Sequence, residues 1–394
     1  MAQPSLLFFA SPGELRVFDL ADRPAASGTP LDEDSRLLDT VRSIKEVQVA
    51  LQRFHRSEVE TGRVFDDAHF KPKHRADQSL IRDLGFVRQR LLSSGLSSTF
   101  ANAILGRAIF IRYLEDRGIL TEQYYTEIAR SNPAWQSVLQ ESYEKPSSRP
   151  SSENVFLPKV LRNKEFTYAL FDRLAQDFNG DLFPSDKAEH VGVKDRHLKD
   201  LSGFLLGDLD HHSGLFFSIY QFDVIPVELI SCIYEEFYKC DTEVTDHSGT
   251  HYTPCSLVEF VVDCALQDIT MANPRARIID PACGSGIFLV ATFKRLVRVR
   301  WCRHGRRPSA QELRAIIRDQ LVGIDLNDGA IVVAAFSLYL ALLNYQRPKD
   351  IIEQMKRGQT LPHLIYDGSR KDSNHFNILF HGNAFDVAGL QRKK

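Results

Sequence analysis

The chain has 394 residues, of which 43% are hydrophobic and 25% are charged, and its formal net charge is −2. These values exclude a disordered or collagen-like chain and predict a globular protein of two or three domains. Because the net charge is near zero, any surface that binds nucleic acid must be local. None of the six cysteines stands in a C-x-x-C pair, which favours buried, reduced thiols and no metal site. The sequence contains no secretory signal and no apolar run of membrane-spanning length, so we expect a cytoplasmic protein with no membrane partner.

The N-terminal residues predict a small α/β module. Residues 5–19 read as a β-hairpin, with Pro12 and Gly13 supplying the turn. Apolar residues then recur at helical spacing from Ser35 to about Arg56, which predicts a helix over that range. Two strands alone are marginally stable, so we expect the hairpin to pack on the helical region that follows.

A helical domain is predicted next along the chain. Four stretches show helical periodicity: Leu80–Leu91, Phe100–Gly118, Glu165–Phe178 and Pro226–Lys239. Gly118 is placed as a C-terminal cap. The Pro- and Ser-rich stretch 140–155 is the best candidate for a disordered loop. Arg107, Arg112 and Arg117 recur along the second helix, and we interpret them as a solvated face.

The third domain opens with a helix predicted over 255–266. Thr253 is a natural N-cap for this helix and Pro254 a natural first helical residue. Free N–H groups at such a helix start also favour a carboxylate ligand. The sequence thus predicts one ligand-binding element ahead of the main motif.

The main motif is a strand, a glycine turn and a helix. A short apolar strand stops at Asp280, and Gly284 and Gly286 then permit a tight turn before a helix over 287–304. Elements in this order form a nucleotide-cofactor site at the carboxyl edge of a parallel sheet. The spacing matches neither the dinucleotide fingerprint nor a P-loop. An acidic residue opening the turn suits a cationic methionyl cofactor better than a pyrophosphate.

Two further strands are predicted for the same sheet. Residues 321–326 form the second, between helices at 310–320 and 330–345, and residues 376–380 form the third. Asp325 lies at the carboxyl end of the second strand, where a carboxylate can accept both ribose hydroxyls of a nucleoside. The sequence therefore predicts an α/β domain with a parallel sheet.

The stretch 280–289, Asp-Pro-Ala-Cys-Gly-Ser-Gly-Ile-Phe-Leu, closely resembles motif I of S-adenosylmethionine-dependent methyltransferases. The form is that of the N6-adenine DNA methyltransferases of type I and type IIG restriction–modification systems. Residues 249–254 resemble motif X of the γ-class of that family, residues 323–327 motif II, and residues 381–386 motif III.

This resemblance implies a Rossmann-like methyltransferase core and S-adenosyl-L-methionine as the cofactor. It also implies the cofactor-binding residues: Tyr252, Thr253, Asp280, Pro281, Ala282, Gly284, Gly286, Phe288, Asp325, Leu326, Asn383 and Phe385. In family members motif X holds the methionine end of the cofactor, and motif III binds the adenine. Asn383 stands where the family more often has Asp.

Two stretches outside this domain resemble parts of the same enzymes. Residues 106–120 are similar to the amino-terminal helical domain of type I modification subunits, which lies against DNA and partner subunits. The hairpin at 5–19 resembles the last hairpin of their nuclease-like module, but the chain lacks the acidic-x-Lys set of such a nuclease, so we interpret it as an accessory unit. The predicted domains are a remnant nuclease-like hairpin plus helix at 1–66, a helical domain at 67–240 and a methyltransferase domain at 241–394.

The family residues that act on the target base are absent from this sequence. The resemblance implies an Asn-Pro-Pro-Tyr or Asn-Pro-Pro-Phe motif that holds the adenine amino group and stacks on the flipped base. That string occurs nowhere in the chain, and the Asn-Pro pairs at 132–133 and 273–274 lie in the helical region and in a turn. We therefore expect no catalytic residue in this chain. A split enzyme, a fragment and a non-catalytic derivative remain as explanations.

The resemblance also implies the partners. We expect double-stranded DNA and a second polypeptide that carries the missing motif and the target-recognition domain. A sheet without its remaining strands would leave an apolar edge uncovered, which favours such a partner.

The most basic cluster of the chain lies near the end of the helix at 287–304. Its members are Lys294, Arg295, Arg298, Arg300, Arg303, Arg306 and Arg307. Because this helix runs about 27 Å away from the cofactor edge, we interpret the cluster as a solvated or partner-facing surface and not as a contact with the target base.

The leading hypothesis is an N6-adenine DNA methyltransferase of a restriction–modification or antiviral defence system that needs a missing half for catalysis. The second is a non-catalytic DNA-binding or scaffold subunit that binds the cofactor without transferring a methyl group. The resemblance of residues 106–120 argues against a third, an N-methyltransferase for glutamine or RNA.

Overall fold

The structure is a computed structural model. It describes residues 6–20, 36–55, 76–140, 155–178, 187–206, 255–267, 275–369 and 373–386, with the single residues 222 and 253. The chain divides into two compact units. The first comprises residues 1–87, 143–152 and 203–220, and the second comprises residues 88–142, 153–202 and 221–394.

The first unit contains a three-stranded antiparallel sheet. Its strands are β1 (Leu6–Ser11), β2 (Glu14–Asp19) and β3 (Leu37–Val41), with β2 in the centre, followed by helix α1 (Ile44–Arg53). Val17 and Leu38 form its core, and Leu6 and Phe54 pack against them. The hairpin prediction is confirmed.

The helix predicted from Ser35 to Arg56 is wrong in its first part, because β3 occupies residues 37–41. The free edge of β2 gives this segment a strand partner, and a third strand stabilises a hairpin that is marginal alone. Ser43 and Glu46 then form a capping box that starts α1 at Ile44.

Helices dominate residues 76–206. They are α2 (Ala76–Ser93), α3 (Ser98–Asp116), α4 (Glu122–Ala129), α5 (Pro133–Gln140), α6 (Leu157–Val160), α7 (Lys164–Asp177), α8 (Lys187–Gly192) and α9 (Asp195–Leu206). The three helices predicted near 80–91, 100–118 and 165–178 are confirmed. Residues 141–154 of the loop predicted at 140–155, and the helix predicted at Pro226–Lys239, lie outside the described residues.

The arginines of α3 do not form a solvated face, and that interpretation was wrong. Arg107 is buried and forms a bidentate ion pair with Glu189 at 2.6 and 2.7 Å. Arg112 is buried between Glu115 and Asp116 of its own helix. Helix α3 is buried around nearly its whole circumference, so its charged side chains must find partners in the interior.

A parallel sheet and its helices form the rest of the second unit. Its elements are α10 (Cys255–Ala265), β4 (Ile278–Asp280), α11 (Ile287–His304), α12 (Ala310–Gln320), β5 (Leu321–Asp325), α13 (Asp328–Asn344), α14 (Pro348–Lys356), β6 (His363–Ile365) and β7 (His375–His381). The strand order is β4-β5-β7-β6, and every pair is parallel. The predicted combination of helices with a parallel sheet is confirmed, although the sequence did not predict β6 or α14.

Strand β4 lies at one edge of this sheet. Within the described part of the chain it pairs with β5 alone, and the side chain of Ile279 is 58% exposed. An apolar edge strand of this kind is open to pairing with a further strand.

The helices and the sheet of the second unit are packed together. The rings of Phe110 and Phe336 lie 5.9 Å apart. The backbone N–H of Leu361 donates to the carbonyl of Phe178 at 2.6 Å. Residues 88–142, 153–202 and 221–394 therefore share one compact unit.

Two other sequence expectations can be compared with the structure. Cys283 is buried, but Cys264 and Cys302 are exposed, so the expectation of buried thiols fails at these two positions. Among the described residues no single helix is long and apolar enough to cross a membrane, although α13 and α14 together reach that length and composition with a bend of 110° between them.

Candidate functional site

The glycine turn after β4 uses its two glycines differently. Gly284 and Gly286 have φ angles of 51° and 79°, in the left-handed region that favours glycine. A Cβ on Gly286 would lie 3.0 Å from the Cα of Ala334, so the turn is pressed against α13. A Cβ on Gly284 would meet no atom of the described residues within 4 Å. The turn is thus closed toward the protein and open on the other side.

Asp280 ends β4 and carries an unsatisfied oxygen. The N–H of Ala282 donates to Oδ1 at 3.2 Å. Oδ2 is buried and receives no hydrogen bond from any described residue. Burial raises the pKa of the Asp280 carboxyl, the negative charge of Asp325 raises it further, and the Ala282 N–H opposes the shift. This carboxylate is therefore arranged to accept a donor or a cation.

Asp325 ends β5, and its carboxylate forms hydrogen bonds both to the glycine turn and to the residue that caps the next helix. Its Oδ2 accepts the N–H of Gly284 at 2.8 Å, and its Oδ1 accepts the N–H of Asn327 at 2.8 Å. Each oxygen keeps a further lone pair for another donor. Asn327 in turn caps α13, because its side chain accepts the N–H of Ala330. The ends of β4 and β5 are thus joined by hydrogen bonds as well as by strand pairing.

Strand β7 brings a third polar end to the same edge. His381 is the register partner of Asp325, and its Nε2 donates to the carbonyl of Leu326 at 3.0 Å. The side-chain oxygen of Asn383 accepts the N–H of Phe385 at 2.9 Å, which leaves its NH₂ group without a partner among the described residues. The Phe385 ring is 93% exposed. The aromatic ring of Phe385 and the amide donor of Asn383 therefore follow the end of β7, and the two carboxylates end β4 and β5.

The remaining residues suggested by the sequence divide into three groups. Pro281, Ala282 and Leu326 are exposed around the turn and the end of β5. Phe288 is partly buried and packs against the cluster of α10 side chains and Ile287. Thr253 is half-buried and Tyr252 lies outside the described residues.

Sequence reasoning missed residues that shape the turn from beneath. A Cβ on Gly323 would lie 2.7 Å from Leu289, 2.8 Å from Leu379 and 3.0 Å from the sulfur of Cys283, so β5 admits no side chain there. The Ser337 hydroxyl of α13 lies 3.0 Å from the carbonyl of Ser285. A glycine inside a predicted strand was an available signal of close packing, but no sequence pattern reveals Ser337.

These groups together fit a cationic nucleoside. The buried, unsatisfied oxygen of Asp280 requires a positively charged or hydrogen-bond-donating partner. Two carboxylates at one edge would repel a pyrophosphate. No group of three or more His, Cys, Asp or Glu residues suited to a metal ion occurs in the ranges that the structure describes.

Comparisons with known proteins show similarity to one class of enzyme. Residues 262–372 match the family model described as MmeI, DNA-methyltransferase domain. The chain is 22% identical over 325 residues to a putative type II restriction enzyme and methyltransferase of Methanocaldococcus jannaschii, an alignment that covers 68% of this chain and 26% of that protein.

Two further similarities are to a curated protein and to a solved structure. Over 130 residues the chain is 32% identical to the adenine-specific methyltransferase PglX of Streptomyces coelicolor, covering 32% of this chain and 11% of PglX. The solved type I restriction–modification system methyltransferase subunit from Streptococcus thermophilus gives a TM-score of 0.38 at 14% identity, over 79% of this chain and 59% of that one. The chain therefore spans well under half the length of either curated relative.

Proposed function

We propose, from the similarity of this chain to DNA methyltransferases of restriction–modification systems, that it binds S-adenosyl-L-methionine where β4, β5 and β7 end. The methyl group would pass to the N6 amino group of adenine in double-stranded DNA. The parallel sheet would then be part of a Rossmann-like core.

The observation that carries the proposal is the buried, unpaired Oδ2 of Asp280 at the open side of a glycine turn. S-adenosylmethionine carries an ammonium and a sulfonium group, and either can compensate a buried carboxylate. A neutral or anionic nucleotide could donate a hydrogen bond to that oxygen but would not compensate its charge. This charge requirement favours S-adenosylmethionine over a dinucleotide.

The strand ends can be given separate roles toward the cofactor. Asp280 would hold the cationic methionyl portion, and the free lone pairs of Asp325 would accept the ribose hydroxyls. Phe385 would stack on the adenine ring. Because the Asn383 oxygen already accepts the Phe385 N–H, its NH₂ group would donate to a ring nitrogen.

The remaining contacts close the site. Pro281, Ala282, Gly284 and Gly286 would line it with backbone, and Phe288 and Leu326 with apolar surface. The turn of Tyr252 and Thr253 before α10 would hold the cofactor carboxylate. When bound, the cofactor supplies an electrophilic methyl group, which these residues orient.

Catalysis requires groups that these 394 residues do not contain. The Asn-Pro-Pro-Tyr or Asn-Pro-Pro-Phe motif that orients adenine is absent from the sequence. We propose that this motif and the target-recognition domain are supplied by further sequence, most simply a second polypeptide. Among the described residues β4 pairs with β5 alone, so its other edge is where an additional strand could join the sheet.

Tritiated methyl transfer tests this function. The chain is incubated with methyl-labelled S-adenosylmethionine and unmethylated duplex DNA, alone and with the polypeptide encoded next to it. We expect label in N6-methyladenine only in the presence of the second polypeptide. A chain that carries both Asp280→Ala and Asp325→Ala is the matched negative control and should transfer no label.

The absent base-binding motif supports one alternative, a non-catalytic DNA-binding or scaffold subunit. That subunit would bind S-adenosylmethionine and DNA but would transfer no label in any combination. Failure of the cofactor to bind at all would contradict both functions.

A further inference from the structure

Helix α13 is the floor of the glycine turn. Its N-terminal cap, Asn327, donates its N–H to Asp325. About two turns further along, the Cα of Ala334 lies only 3.0 Å from where a Gly286 side chain would begin, and one turn beyond it the Ser337 hydroxyl lies 3.0 Å from the Ser285 carbonyl. A small displacement of α13 would therefore move the turn, because the two are packed in direct contact.

The other end of α13 is held by an arginine of the helical region. The guanidinium of Arg117, which follows α3, donates to the carbonyl of Leu343 at 2.6 Å and to the carbonyl of Gln346 at 2.7 Å. It also donates to the Tyr113 hydroxyl at 2.8 Å and lies over the Tyr113 ring. The carbonyls at a helix C-terminus have no partner within the helix, and a cation is favoured there by the helix dipole.

We propose that Arg117 is a positioning residue for the nucleoside site and acts through α13. This inference rests on the proposed function only for the identity of the ligand. Arg117 fixes the C-terminal end of a rigid helix whose other end holds Asp325 and the glycine turn. Its two hydrogen bonds set the position of α13 along its axis, and that position sets the shape of the turn.

The planar fork of arginine is what makes this role specific. Gln346 is buried and its carbonyl needs a donor from the protein, whereas the Leu343 carbonyl also accepts the N–H of Gln346 at 2.9 Å. One guanidinium reaches both carbonyls and the tyrosine at once, whereas a lysine ammonium has no comparable planar geometry. Arg173, by contrast, pairs with Asp177 of its own helix on the exposed side of α7.

The test compares Arg117→Ala and Arg117→Lys with the control Arg173→Ala in the full chain. Hydrogen–deuterium exchange is measured for the peptides 281–290 and 325–333, and the affinity for S-adenosylhomocysteine is measured by calorimetry. For Arg117→Ala we expect faster exchange in both peptides and a loss of affinity of roughly 5- to 20-fold, the scale set by a lost charged hydrogen bond. Arg117→Lys should fall between Arg117→Ala and the wild type, and Arg173→Ala should match the wild type.

Rescue distinguishes positioning from general destabilisation. Ethylguanidinium at low millimolar concentration should restore protection of residues 281–290 in Arg117→Ala and should have no effect on the control. The inference is overturned if Arg117→Ala lowers the melting temperature while exchange at 281–290 stays at the wild-type rate. If the wild type binds no S-adenosylhomocysteine, the proposed function fails, but the exchange data still decide the role of Arg117. If Arg117→Ala does not fold, the exchange rates of Arg117→Lys decide that role instead.

Discussion

Asp280 is stabilised poorly for a buried carboxylate. One oxygen accepts a single backbone N–H, the other has no donor among the described residues, and Asp325 adds a like charge nearby. A carboxyl whose pKa is raised in the folded state destabilises the fold increasingly as the pH rises from the ordinary value through the raised one. Such a cost is expected where a charge is kept for a ligand.

Asp280→Asn should therefore stabilise the unliganded chain. The amide keeps an oxygen for the Ala282 N–H and removes the uncompensated charge, so we expect a gain of about 1 kcal/mol at pH 7. The gain should shrink as the pH falls, and it should be lost below about pH 4, where the wild-type carboxyl becomes protonated in the unfolded state as well. Thermal unfolding at several pH values measures it.

Asp319→Asn is the matched control, because its pKa is lowered by Arg318. Here the carboxylate contributes stability above its ordinary pKa, so its loss should be neutral or slightly destabilising at pH 7. Equal behaviour of the two variants would contradict our account of Asp280.

At the scale of elements, the glycine turn depends on α13 as much as on its own sequence. Gly284 and Gly286 share a left-handed backbone, but only Gly286 is pressed against another helix. The sequence predicted the turn because glycine spacing is a local signal. It could not predict that Ala334 and Ser337 form the floor, since that contact depends on how α13 packs.

Gly286→Ala should cost more stability than Gly284→Ala. Both variants carry the left-handed strain of about 1–2 kcal/mol, and Gly286→Ala adds a clash with the backbone of α13 worth about 1–3 kcal/mol. Chemical denaturation of the two variants measures the difference. Equal losses would mean that the turn is not held by α13.

Strand pairing marks the limit of prediction from the sequence. Helices 287–304 and 310–320 were predicted with the boundaries observed, because Gly286 and Gly305 flank α11 and Ser309 with Glu312 caps α12. The segment 37–41 was assigned to a helix, and the short strand at 363–365 was not predicted. Segment 37–41 is a strand because it pairs with β2, and segment 363–365 is a strand because it pairs with β7. Hydrophobic periodicity within a segment does not reveal such a pairing.

At the scale of the whole molecule, the helical region and the sheet share one compact unit. Phe110, Phe178 and Arg117 contact residues of α13, its end and the segment before β6. The sequence proposed a boundary between the two regions near residue 241. We interpreted Arg117 as solvated from the sequence, because a recurring arginine gives no indication of which carbonyls lie beside it.

A chain limited to residues 241–394 should therefore fold poorly. It loses the cap on α13 and exposes the buried face that contacts Phe110. We expect low dispersion in its amide spectrum and aggregation on concentration, compared with a chain of residues 88–394 that keeps these contacts. A well-dispersed spectrum for 241–394 would show that the sheet is independent of the helices.

Calorimetric titration with S-adenosyl-L-methionine tests the central claim most directly. The wild type should bind one equivalent, Asp280→Ala and Asp325→Ala should each lose about 1–3 kcal/mol of binding free energy, and Arg303→Ala, distant along α11, should bind as the wild type does. Absence of binding by the wild type, or unchanged affinity in both aspartate variants, would contradict the account.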